Sequence, residues 1–190
     1  MIWNRTFTRT QTWLDLALTS APGGPMFPPA LTDRAAALIA RYASLGLKIV
    51  TAESCTGGLV AALLTEIPGS SAVVERGFVT YSNAAKHELL GVPLETLQAH
   101  GAVSEATAHA MVLGALGASH AQVAVSVTGI AGPDGGTAEK PVGLVFFARC
   151  GPGHAVVTRE RRFGDLGRSG IRMASVAEAL ELLERAVLSA

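Results

Sequence analysis

Apolar positions along this chain change their spacing several times, and each change marks a new element. Over residues 32–45, Ala36, Leu38, Ile39 and Tyr42 recur at the interval of one helical face, with Thr32 as a cap and Gly46 as the stop. Residues 47–52 follow as a short continuous apolar run, which predicts a strand buried on both faces. The Ala/Leu-rich stretch 58–67 predicts a short buried helix ended by Pro68-Gly69. Residues 73–81 predict a second strand whose Gly77 marks a bulge or a close backbone approach. Ser82 or Asn83 caps a helix over 84–90, Pro93 opens a short one reaching His100, and Ser104-Glu105 starts a longer one. Residues 121–127 form another apolar run, and 142–150 and 155–163 read as a hairpin across Gly151-Pro152-Gly153. The last helix, about 172–188, gathers Val176, Ala179, Leu180, Leu183 and Val187 on one side.

Helices alternating with buried strands, plus one late hairpin, predict an α/β fold. The expected form is a three-layer α/β/α sandwich with a mixed, mostly parallel sheet. No internal period or heptad run points to a solenoid or coiled coil. The 190 residues suffice for one well-buried core but not for two domains of usual size. The domain is expected over 31–190, with residues 1–30 as an N-terminal extension. That extension carries Arg5 and Arg9, lacks a continuous apolar stretch and breaks at Ala21-Pro22-Gly23-Gly24-Pro25. It reads as an upstream extension or a mobile tail rather than a signal peptide.

Charge and composition narrow the partner. Fifteen basic residues balance fifteen acidic ones, so nothing favours nucleic acid or an anionic membrane, and a small molecule is expected instead. No apolar run approaches the roughly 18 residues of a membrane span. The two cysteines, Cys55 and Cys150, lack zinc-like spacing, which fits a reducing cytoplasm. Glu105 and His109 stand one helical turn apart, but two ligands do not make a metal site, and neither metal nor organic cofactor is expected.

Two stretches carry chemistry. In Thr51-Ala52-Glu53-Ser54-Cys55-Thr56-Gly57-Gly58 a strand runs into hydroxyls, a thiol and paired glycines, a corner where Ser54 could act as nucleophile beside helix-terminal amides. Helix capping competes for Ser54, and Cys55 competes as nucleophile. In Thr80-Tyr81-Ser82-Asn83-Ala84-Ala85-Lys86 the lysine falls in a first helical turn, where the macrodipole and burial lower an ammonium pKa. A neutral amine there could serve as base for a serine, with Tyr81 placed to bond both; the competing reading is a solvated lysine and a tyrosine packed at the sheet edge. The glycine-rich loop 129–136 resembles phosphate cradles in composition only. Arg159, Arg161, Arg162, Arg168 and Arg172 concentrate positive charge near the C-terminus, and arginine's fork of donors suits a phosphate monoester.

Four ordered strings resemble the CinA C-terminal domain family, which includes the nicotinamide-nucleotide amidases (PncC, or NMN deamidases). They are Thr-Ala-Glu-Ser-Cys-Thr-Gly-Gly from Thr51, Arg-Gly-Phe-Val-Thr-Tyr-Ser-Asn-x-x-Lys from Arg76, Gly-Ala-Val-Ser-Glu from Gly101 and Gly-Ile-Ala-Gly-Pro-Asp-Gly-Gly-Thr from Gly129. The resemblance implies hydrolysis of the carboxamide of nicotinamide mononucleotide to nicotinate mononucleotide and ammonia, in pyridine-nucleotide salvage. It implies Ser54 as nucleophile, Lys86 as base and Tyr81 as the hydroxyl linking them. Thr56, Gly57, Gly58, Asn83, Thr128 and Gly129 would line the substrate, with amides near 56–58 holding the oxyanion. It also suggests a homo-oligomer, dimer or larger. The chain departs from the family pattern at Leu144, where relatives carry threonine, and after Gly164-Asp165, where Leu166-Gly167 precedes the arginine; Arg168 and Arg172 are the two phosphate candidates. Two other readings remain: a non-catalytic nucleotide-binding module tied to competence or DNA damage, and an enzyme using Cys55.

Overall fold

A computed structural model describes residues 24–153 and 156–187. The first helix, α1 (Pro29–Leu45), begins three residues before the expected start because Pro28 caps it and Pro29 supplies the fixed φ of a first turn. Thr32 instead donates its hydroxyl to the Pro29 carbonyl at 2.8 Å. The boundary expected at 30/31 therefore falls inside this helix, and Phe27 ahead of it is already in the core, 1% exposed. Residues 1–23 of the expected extension lie outside the described residues. Ala35, rather than the expected Ala36, joins Leu38, Ile39 and Tyr42 on the buried face.

Five strands follow: β1 (Ile49–Glu53), β2 (Val74–Val79), β3 (Val123–Gly129), β4 (Leu144–Cys150) and β5 (Val157–Arg162). Their spatial order is β2-β1-β3-β4-β5. β1 runs parallel to β2 and β3, while β4 is antiparallel to both β3 and β5. Four strands thus point one way and β4 alone is reversed, the mixed, mostly parallel sheet that the sequence predicts. β1 and β3 are interior strands buried on both faces, which explains why they read as continuous apolar runs.

The other helices are α2 (Leu59–Thr65), α3 (Asn83–Leu90), α4 (Leu94–His100), α5 (Glu105–Gly117) and α6 (Gly167–Ala186). Helices α1, α2 and α6 cover one face through Leu38, Leu63, Ile171 and Leu180, packed on Ile49, Val125 and Phe147. On the opposite face α3, α4 and α5 bring Leu90, Leu97, Met111 and Val112 against Val50, Ala52, Ala124 and Ala148. Alternate residues of each strand therefore feed different cores, and the three layers follow directly. Helix α6 starts five residues earlier than the apolar spacing suggests, which puts Arg168 and Arg172 on one helix, a turn apart. Part of the expected β5 start, at 154–155, lies outside the described residues.

Gly77 provides the close approach expected of it: a Cβ there would stand 2.9 Å from Thr51 Oγ1 and 3.1 Å from the Ala61 Cβ. The register irregularity lies beside it, where Ile49 faces Val74 but Val50 faces Arg76. Gly114 sets a tighter limit, since its Cβ would come 1.9 Å from the Leu90 carbonyl oxygen where α5 crosses the end of α3. Alanine is the better helix former by about 1 kcal/mol, yet Gly114→Ala is expected to destabilise by about 2 kcal/mol or more because backbone must move. Thermal unfolding should show the midpoint falling by roughly 5 °C; an unchanged or raised midpoint would refute this.

Candidate active site

The chain leaves β1 to form β2 on one side and later β3 on the other, so β1 marks the point where strand order reverses. In open α/β sheets the crevice at the carboxyl ends of such strands is where ligands bind. Ser54 emerges there, its backbone N–H held by the Val127 carbonyl of β3 at 2.9 Å. On the other flank the Thr80 N–H bonds the Glu53 carbonyl at 2.8 Å, extending the β1–β2 pairing by one step.

Helix α3 starts from this edge. Ser82, not Asn83, is its cap, with Oγ accepting from the Ala85 N–H at 3.0 Å. Asn83 is an exposed first-turn residue. One turn on, the Lys86 side chain turns inward and is 0% exposed. Its Nζ donates to the Thr80 carbonyl at 2.8 Å and lies 3.0 Å from Ser54 Oγ. Burial depresses its pKa from 10.5 to about 8, partly offset by the nearby Cys55. The solvated-lysine reading is thereby excluded. Cys55 is buried as well, and loss of solvent pushes its thiol up to about 12, so it holds almost no thiolate at neutral pH.

The expected oxyanion donors are largely occupied. Glu53, 1% exposed, accepts the amides of Gly58 and Val60 on Oε2, both at 3.0 Å, and that of Ala61 on Oε1 at 2.9 Å. The Gly57 amide closes a turn onto the Ser54 carbonyl at 3.0 Å. Gly57 and Gly58 thus supply positive φ (62° and 96°) rather than free donors. The amides of Cys55 and Thr56 bond no backbone oxygen among the described residues. The Glu53 clamp escaped sequence reading; its only signal was a carboxylate five residues ahead of the glycine that opens α2.

Tyr81 is 61% exposed, and its hydroxyl accepts from Arg168 Nη2 at 3.1 Å instead of bonding Ser54 or Lys86. Of the five C-terminal arginines, Arg159 and Arg161 pair with Glu178, and Arg162 pairs with Glu160. Arg168 and Arg172 are left for the site. Arg172 Nη2 donates to the Thr56 carbonyl at 2.8 Å, inside the nucleophile turn. Arg168 Nη1 donates to the Gly132 carbonyl at 2.7 Å, so the glycine-rich loop meets the site through a carbonyl, not through a cradle of amides. Thr128 and Gly129 serve the scaffold: the Thr128 hydroxyl donates to the Ala102 carbonyl at 2.7 Å, and a Cβ on Gly129 would collide with Val145 Cγ2 at 2.7 Å. Thr56 is fully buried, and its hydroxyl has no protein partner among the described residues.

Known proteins resemble this chain in sequence and in fold. The chain is 56% identical over 137 residues to the nicotinamide-nucleotide amidohydrolase PncC of Enterobacter agglomerans, covering 72% of this chain and 82% of that protein. It is 47% identical over 165 residues to a CinA-like protein of Anaeromyxobacter, covering 87% of this chain but only 40% of that longer protein. Among solved structures, the competence/damage inducible protein CihA from Agrobacterium tumefaciens superposes with a TM-score of 0.83 at 55% identity, covering 85% of this chain and 98% of that one. The sequence model of the CinA C-terminal domain matches residues 31–187, and the chain belongs to that family.

Proposed function

We propose that this protein hydrolyses the carboxamide of nicotinamide mononucleotide, giving nicotinate mononucleotide and ammonia. The observation that carries the reading is the buried Lys86 amine 3.0 Å from the Ser54 hydroxyl at the carboxyl edge of the sheet. A serine hydroxyl needs a base, and an amine with its pKa near 8 supplies one at neutral pH. Ser54 Oγ attacks the amide carbon while its proton passes to Lys86 Nζ; Lys86 returns a proton to the departing nitrogen, which leaves as ammonia. Water, deprotonated by the same amine, then cleaves the ester on Ser54. The Cys55 and Thr56 amides, which bond no backbone oxygen among the described residues and face the Cys55 thiol, are the donors that would hold the oxyanion. Similarity to the PncC relative supports the substrate class.

Arg168 is the phosphate reader in this scheme, and Arg172 a brace for the turn. Arg168 lines a cleft of about 440 Å³ with Ala131, Pro133, Val142, Gly164 and Asp165, which would take the phosphate end of the substrate. Arg172 instead sits against the nucleophile turn, its Nη2 on the Thr56 carbonyl. Tyr81, bonded to Arg168, would act at the substrate's rim rather than as the link between Ser54 and Lys86.

Ammonia release from nicotinamide mononucleotide, nicotinamide riboside and free nicotinamide tests the proposal. The nucleotide should be turned over, the riboside should show a KM raised by roughly 10–100-fold, and nicotinamide should be inert. Arg168→Gln should raise KM for the nucleotide by a similar factor and leave the riboside almost untouched. Calorimetric binding of the nucleotide without ammonia would replace the enzyme with a binding module.

A further inference from the structure

We infer that Glu53 is the positioning residue of the nucleophile turn, a role that rests on the hydrolase reading above. Its carboxylate touches no reacting atom. It accepts four hydrogen bonds instead: Gly58 and Val60 amides on one oxygen, the Ala61 amide and the Thr51 hydroxyl (3.2 Å) on the other. Residues 54–57 therefore hang between the Cα of Glu53 and a helix start that the same side chain grips. The turn could not hold this shape through its backbone alone, since it passes through two glycines at positive φ.

The main chain of Glu53 completes the link. Its carbonyl accepts the Thr80 N–H at 2.8 Å, and the Thr80 carbonyl accepts Lys86 Nζ, also at 2.8 Å. One residue thus fixes the nucleophile through its carboxylate and the base through its carbonyl. The edge strand reinforces the arrangement independently. Gly77 has no side chain where a Cβ would press on Thr51 Oγ1 and on Ala61, the two residues whose donors meet Oε1. The 3.0 Å separation of Ser54 Oγ and Lys86 Nζ is the product of this clamp.

Glu53→Gln in the full chain tests the role. Glutamine keeps the shape, but its NH₂ must face either the Gly58 and Val60 amides or the Ala61 amide beside a Thr51 hydroxyl that can turn to accept, so at least one amide loses its acceptor. With nicotinamide mononucleotide, kcat should fall by about tenfold or more and KM should stay within about threefold, with the far-UV circular dichroism of the parent, as expected when reacting groups are displaced by less than an ångström. A smaller fall in kcat, or a loss carried by KM, overturns the inference. Should Glu53→Gln not fold, Thr51→Val decides: it removes a single donor of the clamp, and a fall in kcat of about threefold or more at constant KM supports the role, while any lesser fall overturns it. Ser54→Ala run alongside keeps the two ideas apart. Its full turnover would sink the serine reading, whereas a dead Ser54→Ala beside an unimpaired Glu53→Gln would overturn Glu53 alone.

Discussion

Ser54→Ala is expected to lose at least about 10³-fold in kcat for ammonia release, on the order of 4 kcal/mol of transition-state stabilisation. Its thermal midpoint should stay close to the parent's. The fold tolerates the change because the residue is held through its main chain, the N–H on Val127 and the carbonyl on Gly57, while its hydroxyl bonds only Lys86 among the described residues. Cys55→Ala is the contrasting case. With its thiol pushed up to about 12, roughly one molecule in 10⁵ carries the thiolate at pH 7, so turnover should persist. Intact-mass measurement on quenched reactions should find an acyl adduct on the parent and on Cys55→Ala but none on Ser54→Ala. Normal turnover by Ser54→Ala would end the serine mechanism, and its loss in Cys55→Ala would reassign the nucleophile.

What the sequence could express and what it could not divide along physical lines. The interior strands β1 and β3 were legible because they are buried on both faces and so spell continuous apolar runs. Helix ends were legible wherever a glycine takes the left-handed conformation, as at Gly46 and Gly91. The start of α6 was not, because its first turn holds Gly167 and Gly170, poor helix formers that add nothing to the apolar spacing. Ser54 and Lys86 stood out as candidates from their local strand-end and first-turn positions, but their roles as nucleophile and base were implied only by the family resemblance. Glu53 did not stand out, since its meaning lies in a side chain that folds forward onto amides of the next helix. Tyr81 shows the opposite error: adjacency to the lysine motif suggested a bridge between base and nucleophile, yet strand-end geometry turns it outward to Arg168 on α6. The arginines needed the fold as well, because only the ion pairs to Glu178 and Glu160 remove Arg159, Arg161 and Arg162 from consideration.

Lys86→Met should separate activity from stability by moving them in opposite directions. Methionine keeps an unbranched side chain in the buried slot but has no basic nitrogen, so kcat should fall by about 10³-fold or more, as for loss of a base acting on a serine. Stability is governed by protons. The folded pKa of about 8 lies below the 10.5 of the unfolded chain, so between those values the unfolded state binds more protons and folding becomes more favourable as pH rises. Below about pH 8 the protein carries the full cost of burying an ammonium, about 3 kcal/mol from the size of the shift. Methionine has no such cost, although the bonds to Ser54 and the Thr80 carbonyl are lost with the amine. At pH 7 the Lys86→Met protein should therefore be the more stable by about 1–3 kcal/mol in urea unfolding, and the advantage should shrink towards pH 10. Lys86→Arg should be as inactive and less stable than the parent at both pH values, because a guanidinium cannot shed its charge. The parent's kcat/KM should climb about tenfold per pH unit below pH 8 and level off above it, as the free enzyme's base loses its proton. A stability gap between parent and Lys86→Met that does not change with pH would mean that Lys86 is not buried as a titrating amine. A flat rate profile would take the base from the mechanism, leaving Ser54 without a group to accept its proton.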